Sequence, residues 1–246
     1  MIKRQNLRKN TTPIIYLKAI ITLLLRKIIR FKVRFFFSQS GEDIILKILL
    51  DEVPDKDIYY VDVGCNDPIR DSNTFLFYLN GGSGICIDAN RELVRSYKRV
   101  RPKDIALCHL VSDKKEDVTF YVSHENRVST AHKKLMESRS QRWPIKEELI
   151  LSTSTLDDIL RDHLPINQKI HLLSIDVEGF DFRVLKSINL TKYQPKVIVI
   201  ELAEFNLDSK TLKNNEVVLY LKSYGYKLKY FATWSAYFVY HGKDNS

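Results

Sequence analysis

Four carboxylates stand where apolar runs end. IYYVDV (58–63) carries Asp62 and continues into Gly64-Cys65-Asn66. GICIDA (84–89) carries Asp88. KIHLLSI (169–175) runs into Asp176-Val177-Glu178-Gly179, and KVIVIEL (196–202) carries Glu201. Continuous Val/Ile/Leu runs of this length are the pattern of strands buried on both faces. One acid at a strand end is ordinary. Four on one rim repel each other and are costly to desolvate, so a cationic ligand or a metal is the natural reason to collect them. Acids at helix starts are favourable in their own right, and Glu178 also suits a cap on a helix beginning at Gly179.

The ligand can be narrowed. Asp62-x-Gly64-x-Asn66 is a tight turn in which Gly64 lets a ligand approach the backbone. It is not G-x-G-x-x-G, and its acids Asp62 and Asp67 disfavour a pyrophosphate, which wants a glycine-lined turn and bare helix N–H groups. An amine or sulfonium suits it better. Asp88 lies 24 residues after Gly64, at the end of the next strand, where an acid accepts both ribose hydroxyls. An adenosine ligand with a cationic end and no phosphate satisfies both: S-adenosylmethionine.

The elements that must position these residues alternate. TFLFYLN is a short helix stopped by Gly81-Gly82. RELVRSYKRV is a helix capped by Asn90 and ended before Pro102. DIALCHLV (104–111) and DVTFYV (117–122) are further strands. TLDDILRDHL (155–164) is an amphipathic helix capped by Ser154 or Thr155. Helices follow at Glu178–Ile188 and around Lys213–Ser223. KLKYFA and AYFVYH, joined near Thr233–Ser235, form an antiparallel pair at one edge. The pattern predicts an α/β fold with a doubly wound, mostly parallel sheet and ligands at the strands' carboxyl ends. Residues 123–150 read as polar and irregular, with one helix near Ala131–Ser138. Arg127, Lys133, Lys134, Arg139, Arg142 and Lys146, interleaved with Trp143, make this segment an acceptor-facing insertion.

In order and spacing, these pieces resemble the FkbM-type S-adenosylmethionine-dependent methyltransferases. The resemblance runs from about Phe37 to Leu202. It rests on Ser38-Gln39-Ser40-Gly41-Glu42-Asp43, VDVGCNDP, SNTFLFYLNGG, GICIDAN, RPKD, LVSD, TLDDIL, LLSIDVEGFDFRVLKSI and PKVIVIEL. It implies the class I methyltransferase fold, a Rossmann-like seven-stranded sheet with an antiparallel last strand. It implies that Asp62 and Gly64 shape the methionine end of the cofactor pocket, with Asn66 in the same turn. Asp88 would take the ribose hydroxyls, Ala89 and Asn90 would lie beside the adenine, and Ser112 and Asp113 would lie at its edge. Gln39 and Glu42 would close over the cofactor, and Asp176 and Glu178 would face the transferring methyl. This turn carries Asp67-Pro68 where many relatives are richer in glycine.

Transfer to a sugar hydroxyl benefits from a general base or a bound cation. Asp176 is the first candidate base, with Glu178 and Glu201 beside it. A divalent metal held by Asp176 with Glu201 is the alternative. His124, His132 and His163 are candidate bases outside the motif.

The charge is distributed unevenly. The chain has 39 Lys+Arg and 30 Asp+Glu, net +9. Residues 1–40 contain ten basic residues and no acid, so the remainder is nearly balanced. That balance argues against a nucleic-acid-binding fold. Residues 1–36 form a basic amphipathic N-terminal segment before a methyltransferase domain at 37–246. Lys18, Thr22, Arg26, Arg30 and Arg34 share a helical stripe opposite Ile14, Leu17, Ile21, Leu24, Leu25 and Ile28. Its longest uncharged stretch inside the helix pattern, Ala19–Leu25, is too short to span a bilayer. It suits the interface of an anionic membrane. No signal-peptide cleavage pattern follows. Cys65, Cys86 and Cys108 read as buried reduced thiols, consistent with a cytoplasmic location, peripheral on the membrane. The expected activity is O-methylation of a glycan, glycolipid or small-molecule hydroxyl acceptor. The alternatives are a methyltransferase of soluble small molecules or proteins, and a non-catalytic Rossmann-like binding protein.

Overall fold

The structure is a computed structural model. It describes residues 36–125, 128–202 and 209–242, together with Ile21. Of the basic segment 1–36, all but Ile21 and Phe36 lies outside the described residues, as does Arg127.

After helix α1 (Glu42–Leu49) come β1 (Tyr59–Val63), α2 (Phe75–Leu79), β2 (Ser83–Asp88), α3 (Arg91–Val100) and β3 (Ile105–Cys108). Next are β4 (Leu110–Val111), β5 (Asp117–Ser123), α4 (Lys133–Arg139), β6 (Ile145–Ser154) and α5 (Leu156–His163). Then follow β7 (Leu172–Ile175), α6 (Asp181–Lys186), α7 (Leu190–Tyr193) and β8 (Val197–Glu201). The last elements are α8 (Ser209–Lys213), α9 (Glu216–Ser223), β9 (Tyr226–Ala232) and β10 (Ser235–Tyr240).

The main sheet has the order β3-β2-β1-β7-β8-β10-β9. Its first five strands are parallel, and β10 runs antiparallel between β8 and β9. This is the Rossmann-like arrangement with an antiparallel last strand. The central strands are apolar throughout because both faces are covered. Val61, Val63, Leu173 and Ile198 pack towards α5, α6 and α9. Tyr60, Leu172, Val197 and Val199 pack towards α1, α2 and α3. Full burial of one such aliphatic side chain stabilises by about 1.5–3 kcal/mol. Helix starts follow their caps: Asn90 Oδ1 accepts from Glu92 N at 2.9 Å, and Thr155 Oγ1 accepts from Asp158 N at 3.2 Å.

Two expectations change. Residues 145–154 are a strand, not an irregular segment. β6 pairs antiparallel with β5 and parallel with β4, making a second, three-stranded sheet. Its run of Lys146, Glu147 and Glu148 hid a strand whose burial is only partial. The helix expected near 131–138 is α4. Cys108 is exposed, because β3 is the sheet edge, whereas Cys65 and Cys86 are buried; all three thiols are free.

One buried cation fixes the turn after β1. Arg101, the C-cap of α3, is fully buried. Its Nε meets Asp104 Oδ2 at 2.7 Å, and its guanidinium donates to Tyr60 Oη, Thr74 Oγ1, Ser72 Oγ and Pro68 O at 2.9–3.4 Å. The rings of Tyr60, Tyr78 and Tyr97 surround it at 4.9–5.4 Å. A buried guanidinium persists only with such complete pairing.

Candidate active site

β1, β2 and β7 converge on an open cleft at their carboxyl ends. Val63, Gly64 and Asn66 line one wall, Ile87, Asp88 and Ala89 another, and Asp176, Val177 and Glu178 a third. Phe120, Ser129 and Ala131, from β5 and the segment leading to α4, face the cleft from the insertion.

Asp88 ends β2 with both carboxylate oxygens engaged by backbone. Asn66 N donates to Oδ2 at 3.0 Å and Asn90 N donates to Oδ1 at 2.7 Å. Burial raises its pKa to about 6, against the lowering effect of those two bonds. Each oxygen retains a lone pair, so Asp88 can still accept from two hydroxyls. Tyr97 Oη donates to Cys65 O at 2.6 Å and holds the same turn from α3.

Gly64 has φ +81°, and a Cβ there would lie 1.7 Å from the Asp176 carbonyl oxygen. The crowding at this glycine comes from β7, in addition to any ligand approach. Asp176 N in turn donates to Val63 O at 3.0 Å.

Asp176, Glu178 and Glu201 each offer a carboxylate oxygen within 4.8 Å of the others. Asp176 is open to the cleft, yet dense protein on its other sides and the charges of Glu201 and Glu178 push its pKa well above the carboxylate range. Desolvation and then repulsion from Glu178 push Glu201 up to about 8. The Asp176 and Glu201 side chains hydrogen-bond, so the pair retains a proton at neutral pH.

Glu178 is held at φ 56°, a conformation that costs a non-glycine residue energy. Thr130 Oγ1 donates to its carbonyl at 2.6 Å, and Arg139 Nη1 pairs with its carboxylate at 2.5 Å. It caps no helix. Asp181, the first residue of α6, fastens the loop before that helix instead: its Oδ1 and Oδ2 accept from Val177 N at 3.0 Å and Gly179 N at 2.9 Å. Its place two positions after Gly179 is visible in VEGFD.

Other expected site residues lie elsewhere. Asp62 is buried on the α1–α3 face beneath the turn, accepting from Thr74 Oγ1 at 2.7 Å and from Ser174. Asp67 accepts from Ile69 N and Arg70 N at 2.8–2.9 Å and caps its own loop. Ser112 is buried and its N donates to Ser154 O, while Asp113 pairs with Arg183 and Lys186 at 2.7 and 3.1 Å. The chain turns into β4 before reaching them, so His109, Leu110 and Val111 face the cleft instead. His109 Nδ1 lies 3.1 Å from Ser154 Oγ, and burial lowers its pKa. Gln39 is exposed and Glu42 accepts from Ser40 N; neither lines the cleft. In that motif Asp43 carries the structure, accepting from Ser38 Oγ at 2.9 Å and from Phe37 N at 2.8 Å. Asn90 caps α3 beside the cleft. Of the outlying histidines, His132 caps α4 through Nδ1, accepting from Leu135 N at 3.1 Å.

A family model for the methyltransferase FkbM domain matches residues 62–228, well over half the chain. The chain belongs to the FkbM methyltransferase family. Neither the curated proteins nor the solved structures include a match to it. The match runs from Asp62 into β9, so it covers the whole cleft. Methyltransferases of this kind take their methyl from S-adenosylmethionine. The cleft suits that group: Asp88 stands at one wall for a ribose, and carboxylates stand at the other for a sulfonium. No helix among the described residues is long and apolar enough to cross a membrane.

Proposed function

We propose that this chain is an S-adenosylmethionine-dependent O-methyltransferase acting on a hydroxyl of a glycan or glycolipid at an anionic membrane surface. The observation that carries the O-methyl assignment is the proton-sharing pair Asp176–Glu201, whose Asp176 lines the same cleft as Asp88.

S-adenosylmethionine supplies an electrophilic methyl on a sulfonium whose leaving group is neutral. The protein's work is positioning and proton removal. Asp88 accepts the ribose hydroxyls. Asn66 and Ala89 shape the walls around the adenosine, with His109 and Leu110 across from them. The acceptor hydroxyl lies against Asp176. As its oxygen bonds to the methyl carbon and the carbon–sulfur bond breaks, its proton passes to the Asp176–Glu201 pair. A pKa near neutrality or slightly above suits a general base. Glu178, neutralised by Arg139, is a weaker candidate. Arg139 is engaged by Glu178, and Arg142 stacks on Trp143 at 4.7 Å, so these two cations are not directed at an acidic sugar. A neutral hydroxyl fits better.

A divalent ion on Asp176 and Glu201 is the second reading, favoured by the 4.8 Å spacing of the three carboxylates. It would displace the shared proton and polarise the same hydroxyl. Turnover that survives EDTA supports the base; turnover abolished by EDTA and restored by Mg²⁺ or Mn²⁺ supports the ion.

The membrane assignment is supported by the ten basic residues among the first 40, interleaved with Ile, Leu and Phe. Mass spectrometry of cell-surface glycans and glycolipids with and without the gene tests the acceptor class. Loss of a methylated species supports it; an unchanged profile contradicts it.

A further inference from the structure

Helix α3 carries Arg91, Arg95, Lys98 and Arg99, all exposed. The offsets of four, seven and eight residues set them along one face of the helix. Val94 and Tyr97 are the buried residues of the helix. The only acid on the helix is Glu92. None of the four cations is ion-paired among the described residues, whereas Arg139, Arg161, Arg183 and Lys186 all are. Four cations with no ion pair among the described residues, against the single acid Glu92, make a local positive field on this helix.

The two ends of this face matter. Its first residue, Arg91, follows Ala89 and Asn90, so it begins at the rim of the cleft. Its far end meets the place where the N-terminal segment joins the domain. Arg101, capping α3, donates to Ser72 Oγ at 3.2 Å, and Ser72 N donates to Phe37 O at 3.1 Å. The Phe37 ring packs edge-on against Phe75 at 4.8 Å, and Phe36 just before it is exposed. Phe37, which follows the strongly basic, apolar sequence 1–35, is thus tied through Ser72 to the C-terminal end of α3.

We propose that this face of α3 docks on the anionic headgroups of a lipid surface, setting the cleft rim beside the membrane. The aliphatic residues interleaved in 1–35 favour lipid over nucleic acid as the partner, since base and phosphate contacts do not call for them. The inference rests on the membrane-surface reading above and assigns it a second contact inside the folded domain.

The test is co-sedimentation of the full chain with phosphatidylglycerol-containing vesicles and with pure phosphatidylcholine vesicles. The triple variant Arg95→Glu/Lys98→Glu/Arg99→Glu is compared with the unaltered chain and with a chain lacking residues 1–35. Cofactor binding in solution, which these exposed positions do not touch, reports that the variant is folded. The expected result is a loss of partitioning to anionic vesicles of about a hundredfold for the triple variant, with the phosphatidylcholine arm unchanged. If the triple variant partitions as the unaltered chain does, the docking face is refuted while the membrane reading stands. If the unaltered chain ignores anionic vesicles, the membrane reading fails and takes this inference with it. Tight binding of single-stranded RNA through these residues, without vesicle binding, would assign the face to nucleic acid instead.

Discussion

A Cβ on Gly64 would come within 1.7 Å of the carbonyl oxygen of Asp176. The turn that leads to the Asp88 side of the cleft and the strand that delivers the acceptor-side carboxylate are thus in direct contact. Cofactor geometry and base geometry are set by one backbone juxtaposition.

Gly64→Ala must move β1 against β7 and also strains a backbone at φ +81°. We expect a loss of about 4 kcal/mol or more in unfolding free energy, read by urea denaturation. A loss below about 1 kcal/mol would show that the contact yields easily.

Asp176→Asn removes the base and leaves the Asp88 wall intact. Cofactor affinity should stay within about threefold, while kcat falls by about 10²–10⁴-fold. Calorimetry and a methyl-transfer assay separate the two. In the unaltered enzyme, kcat/KM should rise with pH as the pair loses its proton, with an inflection near the Glu201 value of about 8. A rate independent of pH from 6.5 to 9 (roughly the range bracketing such a base) would remove the pair from the mechanism.

Much of this site was legible because strands buried on both faces write themselves as unbroken Val/Ile/Leu runs. Their terminal acids Asp88, Asp176 and Glu201 could be read off directly. β6 was not legible, since Lys146, Glu147 and Glu148 belong to a small, half-exposed sheet with weak patterning. Missing β6 also misplaced the chain after β3, so Ser112 and Asp113 stood in for His109, Leu110 and Val111. Asp62 was read as a pocket residue because its position in sequence does not tell which face of β1 it occupies. The alternation puts it with Tyr60, on the Arg101 side. Arg101 has no signal of its own, because Tyr60, Ser72 and Thr74, which hold it beside Asp104, are distant in sequence, and the pairing of Arg139 with Glu178 is hidden by the same distance.

Stability should depend on pH with a definite sign. Asp176 and Glu201 hold protons more tightly folded than unfolded. The stability from that protonation is present below their folded pKa values and lost as pH rises through them. Lowering the pH from about 8.5 to about 7 should therefore raise the thermal midpoint. Below about 6.5, His109 and His171, whose pKa values burial lowers, oppose the trend. Scanning calorimetry of the unaltered chain and Glu201→Gln checks this. The variant should lose most of the rise between pH 8.5 and 7 (roughly the window set by the pair), and an equal rise in both would contradict the assignment.

Glu178 is clamped by Arg139 and Thr130 in a strained conformation. Arg139→Gln should free its charge, raise KM for the acceptor and push the pH–rate inflection higher. Steady-state kinetics across pH would show it; an unmoved inflection would mean that Arg139 does not set the local charge.

The most direct measurement is titration of the full chain with S-adenosylmethionine by isothermal calorimetry, alongside Asp88→Ala. One-to-one binding that Asp88→Ala weakens by about a hundredfold or more, and that fades in the unaltered chain as pH falls below the Asp88 value of about 6, is what a ribose held by ionised Asp88 predicts. No binding by the unaltered chain, or equal binding by Asp88→Ala, would contradict it.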